Sequence, residues 1–387
     1  MTDDRELLVE AVRTLARERI APRAAEVDRT AEFPWDAVEL LRENDVFALA
    51  FPEEYGGTGT GFLTHLRAVE ELSWADATVG LVLAVQGLGG LPVLLAGTEE
   101  QKQAYVPRWA SGEWIAAYAL TEPGSGSDAA AMRTEARRDG DEYVLNGSKR
   151  FITNAGVAHL YTVFAKTDPS AGHDGISCFM VEADAPGFAL GRIEPKLGIK
   201  GSTTGELFFD DCRVPAANLV GGEGEGFKIA MRVLDRSRPG IAAQALGIAQ
   251  GATDYALEYA KTRETMGKPI AEHQLVAAKL ADMETKCEAA RGLLYRFGQM
   301  VDAGVPEQEL TKASAMAKLM CGDVAMEVTT EAVQILGGYG YVKEYPVERF
   351  MRDAKITQIY EGTNEIQRLV IAREMLKESR VFLLAEV

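Results

Sequence analysis

The stretch RDGDEYVLNGSKRFITN, residues 138–154, decides the fold. Asp139-Gly140 and Asn146-Gly147 are both strong hairpin-turn signals, because two-residue β-turns need the positive φ that Gly and Asn tolerate. Three short β-type runs follow: LYTVFAKT (160–167), GISCFMVEA (175–183) and TTGELFFDDCRV (203–214). Residues 116–225 therefore read as a small antiparallel β domain, closed or sandwiched.

Outward from this block the texture is helical on both sides. In RELLVEAVRTLARERIAPRAAEVDR (5–29), Leu8, Val12, Leu15 and Ile20 recur at helical spacing. LVLAVQGLGGLPVLLAG (81–97) is uncharged and reads as a buried helix with a glycine-rich weak point. Beyond residue 226, one stretch repeats Leu280, Met283, Cys287, Ala290, Leu294 and Phe297. Another repeats Ile241, Ala245, Ile248, Ala252, Tyr255 and Tyr259. Such narrow apolar seams pack as an antiparallel bundle. The order predicts an α+β fold with an N-terminal helical domain (1–115), a middle β domain (116–225) and a C-terminal four-helix bundle (226–387).

The bulk properties set limits. The 387 residues are 47% hydrophobic and carry a net charge of −17. So acidic a chain repels phosphate backbones and anionic membranes, which argues against nucleic acid or a membrane as partner. Cys178, Cys212, Cys287 and Cys321 form no C-x-x-C pair, and His65, His159, His173 and His273 are scattered. Free thiols in a reducing compartment fit better than disulfides or a metal site. MTDDRELLVEAVRTLA has no apolar signal core and no twenty-residue apolar run is expected, so the default is a soluble cytoplasmic protein.

Glycine-rich stretches are present, but no G-x-G-x-x-G follows a strand, so a Rossmann nucleotide site is not supported. YALTEPGSGSDAAAM (118–132) offers hydroxyls and bare backbone amides; it suits either a surface turn or a pyrophosphate loop. QILGGYGY (334–341) has more glycines than a helix stop needs. RETMGKPIAEHQ (263–274) reads as a polar connection between helices. LDRSRPG (234–240) reads as a charged stripe on a helix that Pro239 should kink. Glu361 stands at the end of an apolar stretch, just before a helix capped by Thr363 or Asn364. The helix dipole favours a carboxylate there only mildly.

Five motifs in this order resemble the acyl-CoA dehydrogenase family: YALTEPGSGSD, FITNAG, RETMGKPIAEHQ, QILGGYG and RDAKITQIYEGTNEIQR. The resemblance runs from about residue 5 to about 377. GIAAQALGIAQ (240–250) and the C-terminal block look most like the short- and medium-chain branch. The resemblance implies an FAD enzyme that oxidises an acyl-CoA thioester to a trans-2-enoyl-CoA and passes electrons to an electron-transfer flavoprotein. It implies Glu361 as the catalytic base. The alternative family position for that base is held here by Ser237. Ser127, Asp235, Arg238 and Gly362 match substrate contacts. Tyr118, Leu120, Thr121, Gly126, Ser127, Phe151, Ile152 and Thr153 match FAD contacts, with Phe151 where relatives often carry Trp. Arg263, Thr265, His273, Gln274, Gln334, Ile335, Gly337 and Gly338 match contacts from a neighbouring subunit to the same FAD. Thr363, Asn364 and Glu365 complete the cofactor set. A site shared in this way implies an obligate oligomer, and the resemblance implies a homotetramer.

Rival expectations are a branched-chain or glutaryl-type dehydrogenase and an acyl-CoA oxidase. The glutaryl type needs a cation near the acyl end, and 81–97 has no Lys or Arg. A DNA-binding helical relative calls for a basic face that a net charge of −17 opposes.

Overall fold

The computed structural model describes residues 4–377. The first domain holds α1 (Asp4–Leu15), α2 (Ala24–Thr30), α3 (Trp35–Glu43), α4 (Phe62–Ala75), α5 (Ala77–Ala96) and α6 (Glu99–Ala110). Caps fix the last two starts. The Asp76 carboxylate accepts from Thr78 N at 2.7 Å. Thr98 and Gln101 form a reciprocal capping box.

Helix α5 corrects two expectations. It runs unbroken through Gly87, Gly89, Gly90 and Pro92. Its twenty residues are long and apolar enough to cross a membrane, which the sequence was not expected to contain, but 72% of the apolar window is buried inside the protein. Its glycines serve close packing. A Cβ added to Gly89 would lie 2.6 Å from the Ala116 Cβ. Gln86, wholly buried, donates to Trp109 O and Trp114 O and accepts from Ala116 N. The first β-strand is thereby pinned against α5.

That strand, β1 (Ala116–Ala119), is followed by β2 (Glu135–Asp139), β3 (Glu142–Thr153), β4 (Leu160–Lys166), β5 (Ile176–Glu182), β6 (Phe188–Ile193), β7 (Thr204–Pro215) and β8 (Leu219–Val220). The sheet order is β6-β7-β3-β2-β4-β5-β8, with β1 beside β4. Pairing is mainly antiparallel, but β1 runs parallel to β4, so the sheet is mixed. Asp139-Gly140 does make the β2–β3 hairpin, with Asp139 paired to Glu142. Asn146-Gly147 makes no turn. Strand β3 continues through it with a register shift against β7. There the Asn146 side chain bonds Asp211 in both directions, at 3.1 and 2.9 Å. The dipeptide supplies a bulge, which uses the same backbone freedom as a turn.

The third domain comprises α7 (Gly226–Thr262), a two-residue hairpin (Glu264–Thr265 with Lys268–Pro269), α8 (Gln274–Asp302), α9 (Glu307–Leu336), α10 (Val347–Ile356) and α11 (Asn364–Lys377). In α8 the expected seam is the buried set: Met283, Cys287, Ala290, Leu294 and Phe297, with Leu280 partly covered. Burying side chains such as Leu294 and Phe297 contributes about 1.5–3 kcal/mol each. Helix α7 differs. Every residue from Ser237 to Ala249 is buried, so the helix is enclosed all round rather than along a seam. Small residues allow this; a Cβ on Gly247 would sit 2.2 Å from Glu70 O. The helix is assigned continuously through Pro239. All four cysteines are buried free thiols.

Candidate active site

Helix α10 ends at Ile356, and the turn 357–363 joins it to α11. Thr363 Oγ1 accepts from Ile366 N at 3.3 Å and so caps α11. Immediately before it, Glu361 has φ 50° and Gly362 φ 89°. A glutamate in the left-handed region is uncommon and persists only when its surroundings hold it there.

Several long-range partners hold it. Ser237 Oγ donates to Glu361 Oε2 at 2.7 Å. Arg238 Nε reaches Glu361 O at 3.4 Å, while its Nη1 donates to Asp235 Oδ1 at 2.7 Å. Thr311 Oγ1 donates to the other Asp235 oxygen at 2.7 Å. Gly362 O accepts from Lys318 Nζ at 2.8 Å and from Gln367 Nε2 at 3.0 Å. The Tyr360 hydroxyl bonds Gln244, whose amide donates to Ala77 O at 2.8 Å. The segment 234–240 is thus no exposed charged stripe. Ser237 and Arg238 are only 7% and 5% exposed.

Electrostatics follow from this enclosure. Burial raises the Glu361 carboxyl above the ordinary carboxylate range, and the Ser237 hydrogen bond, Arg238 and Lys318 oppose the rise. Burial lowers the Arg238 guanidinium, against Asp235 and Glu361. A carboxylate whose pKa burial has raised is a stronger proton acceptor than an exposed one.

Tyr118 faces the same recess. Its electrostatic neighbours include Glu361 and Arg238, and its buried hydroxyl has no hydrogen-bond partner among the described residues. From Tyr118 the chain runs through Leu120 and Thr121 into a loop where Gly126 and Ser127 are exposed. Arg150 N donates to Thr121 O at 2.9 Å, which sets this loop beside Phe151, Ile152 and Thr153. Phe151 is 57% exposed at φ 58°, with the Arg150 guanidinium 5.1 Å from its ring centroid. Beneath the loop, Glu122 accepts from Arg133 N, Thr134 N and the buried Lys149 ammonium.

A second group of expected residues lies elsewhere. Arg263, Thr265, Ile335 and Gly338 line a recess of about 480 Å³. Thr265 Oγ1 and His273 Nε2 are 3.0 Å apart. Gln274, Gln334 and Gly337 are exposed beside it. Along α9, Gln334 lies sixteen residues from Lys318, roughly 24 Å at the helical rise. The structure therefore brings Glu361, Gly362, Asp235, Arg238 and Tyr118 together, with the 120–127 loop leading away from Tyr118. It keeps the Arg263–Gly338 group apart from them within one chain. Thr363 and Glu365 stay with the first group. Asn364 is buried, its side chain bonded to Lys318 and Asp323.

Sequence reasoning missed Lys318 and Gln244. Lys318 carried a signal, a lysine in register with the buried positions Ser314 and Cys321 of an otherwise apolar helix face. Among the described residues no group of His, Cys, Asp and Glu is arranged to hold a metal ion.

Comparison with known proteins gives consistent matches. Models for the N-terminal, middle and C-terminal domains of acyl-CoA dehydrogenase match residues 2–113, 117–212 and 224–376. An acyl-CoA dehydrogenase of Bacillus subtilis is 48% identical over 97% of this chain and 99% of its own. Butyryl-CoA dehydrogenase from Megasphaera elsdenii superposes with a TM-score of 0.94 at 45% identity, covering 97% of this chain and 99% of that one. A chain from a structure described as the electron transferring flavoprotein of Acidaminococcus fermentans superposes with a TM-score of 0.95 at 48% identity, covering 98% and 99%.

Proposed function

The chain belongs to the acyl-CoA dehydrogenase family, FAD-dependent oxidoreductases acting on acyl-CoA, and on that premise we propose that it converts short- to medium-chain straight acyl-CoA thioesters to trans-2-enoyl-CoA in fatty-acid β-oxidation, with Glu361 as the base. The observation that carries the assignment is the partly buried Glu361 carboxylate. It is held in a left-handed turn, its pKa is raised by burial, and Ser237 Oγ lies 2.7 Å away at the alternative base position.

The residues present fit FAD. The unpartnered Tyr118 hydroxyl is a free hydrogen-bonding group in the recess. Added Cβ atoms at Gly124, Gly126, Gly337 and Gly338 would meet nothing within 4 Å, so bare backbone faces open space. Tyr118, Leu120, Thr121, Gly126, Ser127 and Phe151–Thr153 would hold the flavin and its pyrophosphate. Bound FAD would supply the acceptor for the substrate's β-hydrogen as hydride. Glu361 takes the α-proton onto its carboxylate. The Glu361 backbone N–H is the candidate donor to the thioester oxygen, where negative charge develops. Asp235 and Arg238 would orient the substrate beside the base.

The chain-length assignment rests on the likeness to butyryl-CoA dehydrogenase and on uncharged α5, which packs beside α7 next to the site. A Cβ on Gly240 would lie 3.6 Å from the Ala84 Cβ. The separation of the Arg263–Gly338 group from the Glu361 recess supports an oligomer in which a neighbour supplies the missing half, here proposed as a homotetramer; light scattering with flavin content measures it. An electron-transfer flavoprotein is the proposed electron acceptor, in line with the Acidaminococcus likeness.

The test is anaerobic stopped-flow bleaching of the flavin by butyryl-, octanoyl-, palmitoyl-, branched and glutaryl-CoA, with wild type and Glu361→Gln. Glutamine preserves shape and backbone amide but not the proton acceptor. The rate should fall by about 10²–10⁴-fold. Bleaching of Glu361→Gln at the wild-type rate removes the base assignment; preference for palmitoyl-, branched or glutaryl-CoA removes the substrate assignment.

A further inference from the structure

Lys318 has none of its surface exposed. A lysine is almost never fully buried unless it is paired. Its ammonium donates to Gly362 O at 2.8 Å and to Asn364 Oδ1 at 2.9 Å. These oxygens flank the peptide units that follow Glu361. Both are neutral, so no carboxylate compensates the charge by direct hydrogen bonding.

We propose that Lys318 is the positioning residue of the base: it clamps the left-handed Glu361–Gly362 turn and, through its charge, sets the pH at which Glu361 can accept a proton. This rests on Glu361 being the base.

The clamp is needed because Glu361, a non-glycine residue at positive φ, is strained there. Gly362 O is the point where α9, through Lys318, and α11, through Gln367, grip the turn together. The charge argument follows from comparing the cations near Glu361. Arg238 is the larger of the two cationic influences on Glu361, but it is bonded to the Asp235 carboxylate, which offsets part of its field. Lys318 has no such contact, and Glu361 is its largest charged influence. Other charged or titratable groups face the pair from each neighbouring element. They are Asp235 and Arg238 on α7, Asp323 on α9, Glu365, Arg368 and Arg373 on α11, Tyr118 on β1 and Tyr360 on the turn. Asp323, engaged by Asn364, Gln358 and Arg368, acts on Lys318 less than Glu361 does. Burial lowers the Lys318 amine to about 7, against the pull of Glu361, so its charge is itself finely balanced at neutral pH.

The experiment uses flavin-loaded Lys318→Gln and Lys318→Met. Both remove the charge; only Gln can still donate to Gly362 O. The first readout needs no substrate: the pH titration of the Glu361 carboxyl C=O stretch, assigned by its disappearance in Glu361→Gln. Its midpoint should rise in both variants by roughly one pH unit, the shift expected on losing a nearby opposite charge. The second readout is the pH profile of flavin bleaching. Its acid limb should move up equally in both, while the plateau above it falls tenfold or more in Met and stays within threefold of wild type in Gln. An unmoved infrared midpoint overturns the electrostatic role, and an unchanged plateau in Met overturns the clamp. If both variants lose folded, flavin-loaded protein, the lysine is structural and the proposal fails. If Glu361→Gln bleaches at the wild-type rate with acyl-CoA, the base assignment fails instead, and the infrared titration still decides the influence of Lys318 on the carboxyl.

Discussion

Replacing Gly362 by alanine should damage both stability and chemistry, and by an amount that can be built from its surroundings. At φ 89° an alanine pays the left-handed penalty, about 1–2 kcal/mol. Its Cβ would fall 2.6 Å from Gln367 Nε2, closer than real Cβ contacts come. Gln367 is wholly buried and must swing away, giving up its 3.0 Å bond to Gly362 O at a cost of about 1 kcal/mol. The two terms give about 2–3 kcal/mol if the turn stays in place. Should the turn relax instead, Glu361 moves with it, and a displacement near 1 Å costs about 10²-fold in rate. Urea unfolding of flavin-loaded protein measures the first effect and stopped-flow bleaching the second. Stability within about 0.5 kcal/mol of wild type, together with wild-type bleaching, would refute the view that this turn is strained and held by its neighbours.

Gly126 is the counter-case: it lacks positive φ, and an added Cβ meets nothing within 4 Å. Gly126→Ala should leave the melting of FAD-free protein unchanged yet weaken FAD binding, measured by fluorescence titration; unchanged affinity would move the cofactor away from this loop. Asp353 is buried, accepts from Ile199 N at 2.5 Å, and is pushed up to about 7 chiefly by burial. Because its folded pKa lies above the unfolded value, its contribution is full below about pH 4 and is lost as pH rises through about 7. Asp353→Asn keeps the acceptor and stays neutral, so its Tm should gain on wild type between pH 5 and pH 8. An identical Tm difference at both pH values would contradict this.

The alternation of helical and β texture was legible because period and turn chemistry are local properties. The α8 seam could be read for the same reason. What escaped depended on partners distant in the chain. Asn146-Gly147 encodes a permissive backbone, but its Asp211 partner makes it a bulge rather than a turn. Helix α7 carried a seam-like pattern, yet its small residues let neighbours enclose it on every side. In the site, the motif pointed to Glu361, whereas the lysine that holds its turn sits forty-four residues upstream of Gly362 and belongs to no short pattern.

The proposed base is assembled from afar: Ser237 is 124 residues from Glu361 in sequence, and Lys318 reaches its turn from the middle of another helix. Nascent or half-docked chains therefore cannot hold the carboxylate in its working conformation, even with the 357–363 segment already synthesised. Reactivity becomes a late event in folding, arriving with the docking of α7 and α9. Turnover measured on a population therefore counts molecules in which α7 and α9 have docked against the 357–363 turn.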